Sequence, residues 1–109
     1  MANKFLNAQF SLTTTNPVAV YTCPAETVAM IKSIQTYNSS SGTVSVTAAI
    51  TDNSASATYN FSKRTLATGT SSDLLTGVKV FEENDILKLT GSYTGVITGT
   101  VAILEQDRK

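Results

Sequence analysis

Apolar and hydroxylic residues alternate with a period of two through most of the chain. The pattern is cleanest over residues 43–51. Val44, Val46, Ala48 and Ile50 are apolar there, while Thr43, Ser45, Thr47 and Thr51 carry hydroxyls. A strand with one face on a core and the other in water has this signature. The branched Cβ of threonine suits the wet, pleated face. Leu6, Ala8, Phe10 and Leu12 repeat the pattern against Asn7, Gln9, Ser11 and Thr13. Residues 58–62 repeat it with Tyr59 and Phe61 expected to face inward. Residues 28–37 have apolar side chains on both faces, as a central or interface strand does. Residues 18–23, 74–80, 85–90 and 96–104 complete about eight predicted strands.

Clusters of Gly, Asn, Asp and Ser at 38–42, 52–56, 69–72, 82–85 and 91–95 punctuate these runs, each residue type favouring a turn for its own reason. No segment has a helical period. Short strands between regular turn signals predict an all-β fold: a single-domain antiparallel β-sandwich, jelly-roll or immunoglobulin-like. The 109 residues suit one domain, 1–109, with 1–16 forming either an N-terminal arm or the first strand.

Composition narrows the chemistry. Eight Lys+Arg balance eight Asp+Glu, so the formal charge is zero. Such a chain has no long-range field with which to hold nucleic acid or an anionic membrane. No window approaches the roughly 20 apolar residues of a membrane span, and the N-terminus is too polar for an export signal. The expectation is a chain made and kept in a cytoplasm, or released from one as part of something else. Histidine is absent, which removes the usual catalytic triads, the proton shuttle of neutral pH and the commonest metal ligand. Cys23 is the one cysteine, so no intrachain disulfide forms. In its apolar run it reads as a small buried hydrophobe. Glu82, Glu83 and Asp85 read as a turn with its charges in water, since a calcium loop needs more oxygen ligands at alternate spacing. Lys63-Arg64 is too small a basic cluster for a nucleic-acid groove. The four tyrosines read as core or subunit contacts, because tryptophan, the favoured sugar-stacking residue, is missing. The chain is expected to be no enzyme and to carry no catalytic, cofactor or metal residues.

Tyr21-Thr22-Cys23-Pro24-Ala25-Glu26-Thr27-Val28-Ala29-Met30-Ile31-Lys32-Ser33-Ile34 resembles the opening of small β-sandwich virion proteins of tailed bacteriophages. The resemblance continues through a strand ending in Asn38, a Ser-rich turn and the alternating strand to Ile50. It returns at residues 74–77 and 81–89, where Asn84 replaces the family's usual glycine. Asparagine also tolerates left-handed backbone, so that departure touches only the turn. The likeness covers roughly Pro17 to Leu104, and its motifs are structural punctuation.

What the resemblance implies is a capsid decoration (cement) protein on the surface of the virion, bound to the major capsid protein across subunit joints. A tail, neck or fibre component that binds host glycan or protein is the alternative. Homo-oligomers are expected, with a trimer favoured by the threefold symmetry common at capsid joints. Lys4, Phe5, Leu6 and Asn7, within an arm spanning residues 2–9, are the candidate contact residues. An extended arm could add a strand to a neighbour's sheet. The same residues could equally be the first strand of the sandwich.

Overall fold

Nine strands account for most of the described chain: β1 (Asn3–Leu12), β2 (Val18–Thr22), β3 (Thr27–Asn38), β4 (Val44–Asp52), β5 (Ala57–Leu66), β6 (Ser71–Asp73), β7 (Lys79–Phe81), β8 (Ile86–Gly91) and β9 (Ile97–Asp107). The computed structural model describes residues 3–75 and 77–107. Ala2 of the predicted arm and Thr76 of the predicted strand at 74–80 lie outside them.

All pairings are antiparallel. One sheet has the order β1-β9-β3-β6, with β7 also on β3; the other has β2-β8-β4-β5. Because β6 and β7 share one side of β3, they act as two halves of an interrupted strand. The chain then crosses between two four-strand layers, with β4 and β5 a hairpin within one of them, in the double Greek key of a jelly roll, which decides between the two predicted topologies. Leu12, Ile31, Ile34, Val46, Leu87 and Ile103 are among the side chains that meet in the buried layer between the sheets.

Of the predicted strand at 74–80, only the end is a strand, within β7 (Lys79–Phe81); Leu74 and Leu75 are not in one. β6 ends at Asp73, whose carboxylate Oδ1 accepts the backbone N–H of Ile34 (3.1 Å) and of Leu75 (2.9 Å). The side chain takes the ladder position that a backbone carbonyl would have filled. Leu74 donates its own N–H to Ile34 O (3.0 Å). Leu74 and Leu75 are buried, which is why this strap looks like a strand in sequence.

Three bulges explain the imperfect alternation. At Lys32 one extra residue interrupts the β3–β9 ladder. Ala29 and Ile31 are buried before it, Ile34, Thr36 and Asn38 after it. The inward phase has switched, so a strict period of two makes one strand look apolar on both faces. A second bulge falls at Val20 and a third at Phe61. The third lies in edge strand β5, where Tyr59 shares the face of Ile50 but is 54% exposed. The expectation that Tyr59 faces a core is therefore corrected: its strand is at the sheet edge, and more than half of the residue is exposed.

Two residues close the ends. Asn38 is fully buried; its Nδ2 donates to Gly42 O (2.8 Å) and Leu66 O (3.1 Å), and its Oδ1 accepts from Ser40 N (2.8 Å). It thereby joins the loop after β3 to the loop after β5. Gly99 of β9 lies where an added Cβ would sit 2.0 Å from Gln35 O and 2.6 Å from Phe10 Cζ. A strand glycine often marks this kind of close approach.

Asn38→Ala would strand buried carbonyls and one N–H, and is expected to cost about 2 kcal/mol in a urea titration without changing its slope. Gly99→Ala must push β3 and β9 apart, and is expected to lower stability by roughly 1–3 kcal/mol. A midpoint unchanged from wild type in either titration would contradict these roles.

Candidate interaction surface

The alternation on β1, β9 and β3 turns one set of side chains to the core and the other to the outside of the sheet. Strand register then sets the outward residues in rows. Phe5 pairs with Leu104, Leu104 with Met30, and Met30 with Val80. Four apolar side chains on four neighbouring strands thus form one row. Phe5 is 78% and Val80 59% exposed, while Leu104 and Met30 are half-buried. Beyond this row the face becomes polar: Gln9 Nε2 donates to Asn7 Oδ1 (2.8 Å) and reaches Thr100 Oγ1 at 3.4 Å.

The four sequence-predicted contact residues all lie in β1, at the edge of its sheet with β9 on one side. They do not share a face. Phe5 and Asn7 point outward and are exposed. Leu6 points inward and packs half-buried against the core. Lys4 is exposed at the end of the sandwich, opposite Glu105, where it lines a cleft of about 70 Å³ with Thr27 and Asp107. The sequence pointed to Phe5, but Leu104, Met30 and Val80 could be joined to it only through the strand register.

Across the sandwich from β9, the bulge at Val20 turns Tyr21 onto the face of Leu87. Its hydroxyl donates to Glu105 Oε2, linking the two sheets. Burial, and then the carboxylate that accepts its proton, push the Tyr21 hydroxyl far above the ordinary tyrosine value. Cys23, fully buried, has its thiol 3.3 Å from Thr27 O, and burial pushes its pKa up as well.

Charge is unevenly placed although it sums to zero. Seven of the eight carboxylate residues, all but Asp73, lie at the end where β1 begins and β9 ends, with the loops at 23–26, 53–56 and 82–85. The loops at 13–17, 39–43, 67–70 and 92–96, at the opposite end, contain no charged residue. The acidic turn needs a correction. Glu82 and Glu83 are exposed as expected, but Asp85 is buried. Its two oxygens accept Asn53 N (3.0 Å) and Glu82 N (2.9 Å), so it ties two loops together. Glu83 Oε2 accepts Glu26 N (2.7 Å). Asn84 takes the left-handed conformation (φ 67°) that its place in the turn demands. At the uncharged end, Tyr93 is 59% exposed beside a cleft of about 350 Å³ lined also by Ser40, Ser41, Thr43 and Val96.

No protein-family model matches the chain, and no curated protein matches it. Solved structures do match. A chain of the Bacillus endospore appendages, described as a family of disulfide-linked pili, aligns with a TM-score of 0.59 at 10% identity over 99% of this chain and 88% of that one. A chain of the acidic stable capsid of Helicobacter pylori bacteriophage KHP30 aligns with a TM-score of 0.62 at 12% identity, over 100% and 90%. A chain of the T13 IBDV viral particle gives 0.54 at 13% identity, covering 94% of this chain and 30% of its own length. Likeness at such identities shows a common fold, one that a phage capsid, a virus particle and a pilus all contain.

The raised Tyr21 value has a pH consequence. An unfolded tyrosine ionises near 10.0, whereas the folded Tyr21 stays protonated well beyond that. Its contribution is fully present below pH 10 and is lost as pH rises above it. The melting temperature of Tyr21→Phe is expected below wild type at neutral pH, with the gap narrowing above about pH 10. A gap that stays constant across that range would contradict the assignment.

Proposed function

We propose that this protein is a non-enzymatic structural component of a virion, and specifically a capsid decoration (cement) protein. It binds the outside of a phage head and braces joints between subunits of the major capsid protein. The observation that carries this reading is the whole-length match of the jelly roll to a chain of a phage capsid structure, with nine-tenths of that chain covered in return. The sequence resemblance to tailed-phage sandwich proteins supports it independently.

Cys23 separates this reading from a pilus. The appendage chain with the same fold belongs to pili described as disulfide-linked. Here the single cysteine is fully buried between the sheets, which offers no thiol for a link between chains.

Edge strand β1 is the proposed contact with the capsid. Lys4, Phe5, Leu6 and Asn7 lie on it, and a capsid segment laid along the edge would gain backbone hydrogen bonds. A contact of roughly 800 Å² per partner suffices for stable docking, and several contacts per oligomer add avidity. If only the expanded shell offers that segment, binding stabilises the expanded state by mass action.

Quantitative mass spectrometry of purified particles is expected to find hundreds of copies, comparable to the major capsid protein. Amine cross-linking is expected to join Lys4 to that protein. A few dozen copies, or cross-links that run only to tail proteins, would replace decoration with the second reading. That reading is a tail, neck or fibre component, and the Tyr93 cleft with its hydroxyl-bearing rim is the observation that favours it, since sugar rings stack on exposed aromatics.

A further inference from the structure

The row of Phe5, Leu104, Met30 and Val80 crosses the outer face of a whole sheet. By the alternation Val28 flanks it on β3, and Val78, just before β7, is also exposed. Together they expose apolar surface on the order of 400 Å², in the range of the largest single patch on a typical monomer and often functional at that size. The rows beyond it pair Gln9 with Thr100 and Thr100 with Gln35, then Ser11 with Thr98 and Thr98 with Tyr37. Of the outward residues on β1, β9 and β3, only Lys32, at the bulge, is charged.

We propose that this face is a twofold interface between two copies of the chain. Let two such sheets pack face to face about an axis that runs along the strands between β9 and β3. Phe5 of one copy then meets Val80 of the other, and Leu104 meets Met30. The largest side chain of the row faces the smallest, so the sheets can keep the usual separation of about 10 Å along its length. The polar rows face their own copies, and their amides and hydroxyls can both donate and accept. Natural sheet twist sets such layers near −30°.

The area is sufficient. Three strands of about ten residues and the two three-residue pieces of the fourth, about 4.8 Å apart at about 3.4 Å per residue, make a face of roughly 600 Å² in projection. Contoured by side chains, that approaches the roughly 800 Å² per partner of a stable pair. A foreign partner would gain specificity from complementary charge, of which this face carries little: Lys32 at the bulge, and Asp73 beside Gln35, with the Asp73 Oδ1 held by two backbone N–H groups. A second copy needs no such charge, because the row is its own complement under the axis. The edge backbone of β1 points within the sheet plane, so this contact and the capsid contact proposed above can coexist. The pair also differs from the threefold grouping expected at capsid joints.

Sedimentation of the isolated protein, with no particles present, tests the proposal. The expected mass is twice 11.5 kDa. Leu104→Asp would bury a carboxylate against the partner's Met30. It is expected to weaken pairing at least about a hundredfold while the chain stays folded and melts cooperatively, at a temperature lowered by the lost pairing. Tyr93→Ser, at the uncharged end, is expected to leave the dimer intact. An equimolar mixture of Leu104→Asp and Met30→Lys chains is expected to pair again. A wild-type monomer, a wild-type trimer, or a dimer that survives Leu104→Asp would each overturn the proposal. A wild-type monomer that loses particle occupancy on Leu104→Asp would give the face to the capsid instead. A dimer that is absent from purified particles would leave this interface standing and remove the decoration reading.

Discussion

β9 comes last in sequence but lies inside its sheet, bonded to β1 over ten residue pairs and to β3 over eleven. The double ladder joins the first strand to the last and holds both against β3. Without it, β1 would lose its sheet partner and β3 one of its two sides. The inner faces of all three would also lose their common orientation toward the other layer. Gly99 is the local requirement for the ladder to close, since the backbone of β3 and the ring of Phe10 fill the place where a side chain would go. Such a topology brings distant parts of the chain together, and the loop-closure entropy must be spent before those contacts form.

Secondary constraints follow from that frame. The split of the last edge position into β6 and β7 leaves a strap whose leucines seal the core. Asp73 supplies the acceptor that the missing strand would have offered. Asn38 and Asp85 do related work at opposite ends, each a buried polar side chain that meets its bonding needs with loop backbone. Buried polar groups satisfied in this way specify one arrangement of loops, because any other would leave them unpaired. A small sandwich with a single cysteine, and so no intrachain disulfide, depends on such staples for order at its ends.

The surface divides into regions of different chemistry: an acidic end, an uncharged end rich in Ser and Thr, and an outer sheet face with an apolar row. A brick that makes several contacts at once needs faces that do not compete. Edge, face and end point in separate directions here. The proposed role as a virion component is compatible with that division, and the fold is one that a phage capsid chain shares.

Much of this was legible in the chain itself. Alternation over residues 43–51 and 6–12, hydroxyl-rich turns and the absence of helical period determined an all-β sandwich, and the apolar setting of Cys23 determined its burial. The tolerance of Asn84 for left-handed backbone was also readable from residue type. Three kinds of fact were not. A bulge inserts one residue and reverses the phase, so the inward faces of Val28–Asn38 and the exposure of Tyr59 could not follow from a strict period. Asp85 and Asp73 look like solvated turn residues until the backbone N–H groups they accept are brought near from other loops. The row from Phe5 to Val80 joins positions as far apart as 5 and 104, which only strand register makes neighbours. Local pattern sets which residues form strands. The order and register of those strands depend on contacts between distant segments, and so the surfaces through which the protein would act were decided only by the tertiary structure.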